Sequence, residues 1–144
     1  MVPLNVRLGY DERKPHLTFE VTGFVHPDIA EPDGLDLLTC RVHANAPPVT
    51  AAFDVELLVR ELLDLREYLA EINSGNGPPG TFAMAGGLLS LSFAPSRRGP
   101  VLCAVQLKSV DASHVRLEYL VTLEPESITR AIADLATLER ETAE

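Results

Sequence analysis

Residues 49–82 read VTAAFDVELLVRELLDLREYLAEINSGNGPPGTF, and the way this stretch divides into strand, helix and loop decides the fold. Val55, Leu58, Leu62, Leu65, Leu69 and Ile72 recur at spacings of 3, 4, 3, 4 and 3. That pattern puts six apolar side chains on one face of a helix. Asp54 carries the side-chain oxygen that an N-cap uses. The spacing therefore predicts a helix over about 55–73, entered from a short strand at 49–53. Glu61, Asp64, Glu67 and Glu71 lie toward the opposite side. The apolar seam spans fewer than three heptads, so it reads as a helix laid on a sheet rather than a coiled coil. Leu57, Val59, Leu63 and Tyr68 widen the stripe and leave apolar surface available to a partner.

The end of the stretch, EINSGNGPPGTF (71–82), is rich in glycine, as phosphate-binding loops are. Phosphate loops follow a strand and open a helix, whose N–H groups face the anion. Here the order is reversed: Ser74-Gly75 closes a helix and a strand follows. There is no GK[ST], and no lysine stands between Lys14 and Lys108. The segment is a boundary, not a nucleotide cradle.

Outward from it, period-2 alternation marks strands with one buried face. PLNVRL (3–8) turns Leu4, Val6 and Leu8 to one side. HLTFEVTGF (16–24) does the same with Leu17, Phe19 and Val21. LDLLTCRVHA (35–44) aligns Leu38, Cys40, Val42 and Ala44, and NAPP (45–48) makes a turn. After the loop, TFAM (81–84) and LLSLSFA (88–94) flank a break at Gly86-Gly87. VLCAVQLKSV (101–110) and HVRLEYLVTL (114–123) form a hairpin around DAS. Pro125 suits the first turn of a closing helix to about 141, with Ile128, Ala131, Ile132, Leu135 and Leu138 buried. Strands arrive in consecutive runs, with no internal repeat visible in the residues. The order implies one α+β domain over 1–144: a curled antiparallel sheet of about seven or eight strands with helices at about 55–73 and 126–141 on one face.

The chain has 144 residues, 46% hydrophobic, enough for a core. No apolar run approaches the ~20 residues of a membrane span. The N-terminal residues lack the pattern of a signal peptide, so a cytoplasmic protein is expected. The net charge is −9, with only two lysines. Nucleic acid and anionic membranes are both poor partners for such a chain. Segments 28–36, 54–71 and 124–144 each carry −4, which leaves the rest at +3. A surface acidic in blocks attracts a basic partner. The candidate contact residues are Asp28, Glu31, Asp33 and Asp36 in the loop and Glu61, Asp64, Glu67 and Glu71 on the helix.

No catalytic constellation stands out. Cys40 and Cys103 sit in apolar strands and read as buried thiols, without C-x-x-C spacing. Cys40 and His43 point to opposite faces of their strand. His16, His43 and His114 read as solvated histidines on the outer sheet surface. G-x-S-x-G is absent, and Ser90 and Ser92 alternate with leucines. Neither an enzyme, nor a metal site, nor a cofactor is expected.

PDIAEPDGLDLLTCRV, DVELLVRELLDLREYLAEINSG, LLSLSF, VLCAVQLK and ITRAIADLATLER, in this order, resemble the WapI-type immunity proteins, small bacterial α+β proteins. The resemblance covers roughly residues 17–140 and rests on element order and hydrophobic pattern. Where members carry a tryptophan before a leucine, this chain reads Gly34-Leu35-Asp36-Leu37. Where they carry a Glu-Pro-Asn-Leu-like stretch, it reads Ala85-Gly86-Gly87-Leu88. No binding residue carries over. The resemblance implies a non-enzymatic protein that neutralises a cognate toxin by covering it. The alternatives are a homo-oligomer, such as a homodimer pairing by a strand edge or an apolar helix side, and a small-ligand binder with a pocket between sheet and helices.

Overall fold

The computed structural model describes residues 3–28, 35–75, 77–96, 99–108 and 115–142. The fold is α+β. The chain runs β1 (Leu4–Leu8), β2 (His16–Phe24), β3 (Leu37–Ala46), β4 (Val49–Leu58), α1 (Val59–Asn73), β5 (Gly80–Met84), β6 (Leu89–Ala94), β7 (Val101–Lys108), β8 (Arg116–Leu123) and α2 (Pro125–Thr142). The eight strands divide between two antiparallel sheets, β1-β2-β3-β4 and β5-β6-β7-β8, instead of curling as one. Each sheet is a meander followed by a helix. The chain thus repeats one architecture, four strands and a helix, twice over, a duplication that its residues do not display.

Alternation builds each strand as expected. Leu17, Phe19 and Val21 of β2 are fully buried, as are Leu38, Cys40 and Val42 of β3. In the second sheet Leu89, Leu91, Cys103 and Val121 are equally buried. Both sheets and both helices contribute to a single contiguous core. α1 and α2 pack on each other, and α2 also lies along β1.

The boundary of α1 differs from the expected one. β4 continues to Leu58, pairing with β3 from Ala46↔Val49 to Leu37↔Leu58. Residues 55–58 fit both periods: Val55 and Leu57 are buried, Glu56 between them is exposed. Ten cross-strand pairs outweigh the helical pattern, because sheet context overrides local propensity. Asp54 is therefore no cap but an outward strand residue, ion-paired with Arg41 at 2.9 Å. The N-cap is Leu58, which has no side-chain oxygen. Two other groups serve the orphan donors there. The Leu58 N–H donates to Glu61 Oε2 at 3.0 Å, and the Val59 N–H donates to the Asp36 carbonyl at 2.9 Å. Leu57, Val59 and Tyr68 are buried and Leu63 is half-buried, so the widened stripe belongs to the core and leaves little for a partner.

The loop after α1 is clamped in place. Ser74 caps the helix, and Gly75 takes a φ of +90°. Tyr68 donates its hydroxyl to the Pro78 carbonyl at 2.7 Å. A Cβ on Gly77 would come within 2.9 Å of the Ile72 backbone, so only glycine lets the chain turn back so closely.

Candidate interaction surface

Among the described residues three regions are considered as sites, and each is built differently. The first is the acidic set. Asp64, Glu67 and Glu71 form an exposed stripe along α1, with Asp64 3.8 Å from Arg60. Glu61 is half-buried and holds the start of α1. Asp28 is exposed and Asp36 half-buried, its carbonyl bound to Val59. Glu31 and Asp33 lie outside the described residues, as does His114. Geometry thus splits the predicted acids between a solvent-facing stripe and a helix-start role.

The second region is a cavity of about 260 Å³ where the two halves meet, lined by Tyr10, Lys14, Thr122, Glu126, Ser127 and Arg130 among others. Part of its lining is held by contacts within the chain. The Gly9 N–H donates to buried Ser127 Oγ at 3.0 Å. Tyr10 donates to Asp134 Oδ2 at 3.4 Å, and the Arg130 guanidinium sits 4.6 Å from the Tyr10 ring centroid. Burial, and then the Asp134 charge, push the Tyr10 pKa up. Burial likewise raises Asp134, against the opposing pull of the Tyr10 hydroxyl and Arg130. Nearby, Tyr119 donates to the His16 carbonyl at 2.9 Å, and burial raises its pKa as well. These contacts read as the seam that locks β1–β2 to β8–α2.

The third region is the outer face of the second sheet. Registers place Thr81, Ser92, Ala104 and Leu120 in one row across it. Ala83, Ser90, Gln106 and Glu118 form a second row, and Ala94, Leu102 and Thr122 a third. Leu120 is 58% exposed and Leu102 42%. Between the first two rows lies a shallow groove of about 400 Å³ bordered by Ser90, Ser92, Ala104, Gln106, Glu118 and Leu120. Among the described residues of these rows and their ends, charge appears at Lys108, Arg116 and Glu118, with Arg116 3.7 Å from Glu118. The first sheet is the contrast. Its outer face carries Glu20, Arg41 and Asp54 in one row, and His43 lies 3.4 Å from Glu20.

The chemistry-bearing side chains sit apart. Cys40 and Cys103 are free, buried thiols, and desolvation pushes each to about 12. Thiolate formation there is disfavoured. Cys40 faces the core and His43 faces outward, as the alternation requires. His16 departs from expectation: it is buried, with Nδ1 2.9 Å from the Lys14 carbonyl. Among the described residues no group of three or more His, Cys, Asp or Glu is placed to hold a metal ion. No helix among them is long and apolar enough to cross a membrane.

The eight candidate acids came from charge blocks, which register where acids are dense. The outer face of the second sheet was missed because its signal is the reverse, a run in which the expected polar positions stay uncharged. In VLCAVQLK the outward residues are Leu102, Ala104, Gln106 and Lys108, so charge enters that face only at the strand's last residue. No family model, no curated protein and no solved structure matches the chain.

Proposed function

We propose that this protein is a non-enzymatic protein-binding module, and that its contact surface is the outer face of the second sheet. One observation carries the reading: a wide, nearly uncharged sheet face with Leu102 and Leu120 standing out of small residues, on a chain of net charge −9. Scattered surface leucines need no explanation, but two on one flat, small-residue face favour a protein partner. The raised thiol pKa values of Cys40 and Cys103 support a binder over a cysteine-based catalyst.

A second surface supports the immunity-like reading suggested by the resemblance to WapI-type proteins. Asp64, Glu67 and Glu71 offer an exposed acidic stripe to a basic toxin domain. Such charges speed encounter more than they tighten the complex.

Site-specific photo-crosslinking in the producing cell separates the two surfaces. A photoreactive residue at Leu120 is expected to form covalent protein adducts, and one at Thr50 on the first sheet is not. Adducts from Glu67 without any from Leu120 would move the contact to α1. No adducts from either position would remove the protein-binding reading.

A further inference from the structure

We propose that the cavity at the seam binds a small, uncharged-side-chain α-amino acid, recognised by its carboxylate and its ammonium group together. This is a second site, beyond the sheet face assigned above to a protein partner.

The cavity is lined by charges of both signs that do not pair with one another. Lys14 comes from the turn between β1 and β2, Glu124 immediately precedes α2, and Glu126 and Arg130 lie within α2. Glu126 and Arg130 stand four residues apart on one helix, the spacing at which acid and base commonly pair. Arg130 sits instead on the Tyr10 ring, 4.6 Å from its centroid, where Asp134 also attracts it. Among the described residues, Lys14, Glu124, Glu126 and Arg130 form no ion pair. Asp11, the remaining charge in the lining, is turned to its own loop, its Oδ1 accepting from the Arg13 N–H at 2.9 Å. A buried donor is left over as well. Ser127 is 5% exposed, and its Oγ accepts from the Gly9 N–H at 3.0 Å. The proton of that hydroxyl has no acceptor among the described residues.

Two bases, two carboxylates and one spare hydroxyl proton define the ligand. A carboxylate end takes donors from Lys14, Arg130 and Ser127. An ammonium end donates to Glu124 and Glu126. The four lining charges cancel, so a molecule neutral overall and charged at both ends is favoured. A simple anion would sit beside two unneutralised carboxylates on a chain of net charge −9, and a simple cation beside two unneutralised bases.

Volume sets the size. The cavity of about 260 Å³ has the space of roughly nine waters at ~30 Å³ each. That is below the usual range for pockets that take drug-sized ligands. A ligand of about six to nine non-hydrogen atoms fits, as in alanine, serine, threonine and valine. Its carboxylate joins Lys14 of the first half to α2 of the second. Exposed ion pairs are weak in water, so a dissociation constant of about 1 mM is expected.

Amide NMR of the ¹⁵N-labelled full chain tests this at constant ionic strength. The probes are alanine, serine, threonine and valine, each titrated to about 20 mM. The expected result is saturable shifts at Gly9, Glu126 and Ser127 with at least one of them, while Ser90 and Gln106 on the sheet face stay still. The analogue of the bound amino acid without its amine, and the one without its carboxylate, bind about tenfold or more weakly. For alanine these are propionate and ethylammonium. Glu126→Gln weakens the amino acid about threefold or more and leaves the amine-free analogue unchanged, whereas Lys14→Gln weakens both. Both side chains are exposed, and the spectrum of each variant reports its fold directly.

Cavity amides that move with none of the four amino acids overturn the proposal. So does an analogue carrying one charge that binds as tightly as the parent amino acid, because a single charge would then suffice. Unchanged amino-acid affinity in Glu126→Gln overturns it too, since the ammonium group would have no seat there.

Discussion

At the scale of single residues, the seam depends on Gly9. Its φ is +86°, and a Cβ there would lie 3.1 Å from Val121 Cγ1 and 3.2 Å from His16 Cβ. A side chain there would be strained by the positive φ, and its neighbours would have to give way by a few tenths of an ångström. Gly9→Ala should lower stability by about 1–3 kcal/mol, and urea unfolding would measure it. A variant as stable as the parent would mean the seam is looser than its geometry. The two buried thiols make a second prediction. Cys40 and Cys103 ionise at about 12 in the folded chain, against an ordinary 9.0. A raised folded pKa means the folded state keeps its proton longer than the unfolded state. The stability contributed by the neutral thiols is thus fully present below 9.0 and is lost as pH rises from there toward 12. Urea midpoints should fall over that window, and Cys103→Ala should fall less steeply than the parent. An equal slope in the two proteins would assign the alkaline loss to other groups.

At the scale of elements, Glu61 and Glu67 look alike in the sequence and differ in role. Glu61 accepts from the Leu58 N–H at the start of α1, whereas Glu67 is exposed on its outer side. Glu61→Ala should cost about 1 kcal/mol as a lost cap contact, and Glu67→Ala should stay within about 0.5 kcal/mol. Thermal denaturation of the two variants would show the difference; equal effects would remove the capping role. The same junction explains what the sequence made legible. Both helices and most of the strands were readable from apolar periodicity, because each buries one face against a common core. The start of α1 was not, because Val55 and Leu58 satisfy the helical period while Val55 and Leu57 satisfy the strand period. Only pairing with β3 separates the two, and pairing is long-range. The division into two sheets was hidden for a related reason: alternation states which face is buried but not which strands are neighbours. The uncharged outer face could have been found by asking where the outward positions of a strand lack charge, as at Leu102, Ala104 and Leu120.

At the scale of the whole molecule, the repeated architecture of four strands and a helix invites the idea of two independent halves. The packing argues against it. The core runs without interruption through both sheets and both helices. α2, from the second half, lies along β1 of the first. Gly9 to Ser127, Tyr10 to Asp134 and Tyr119 to His16 tie the halves across more than 100 residues of chain. A first half alone would expose the β1 flank and the side of α1 that α2 covers. A unit of that size has a core worth only about 3–5 kcal/mol before such losses. Residues 1–77 expressed alone should therefore be unfolded, with no cooperative transition in circular dichroism. The full chain should unfold in one step, with far-ultraviolet and tyrosine near-ultraviolet signals coincident. Tyr10, Tyr68 and Tyr119 make that comparison informative, because they report on the seam and on the α1–β5 clamp together. Two separated transitions would show that each half holds its own core and that the seam is a docking contact between finished units.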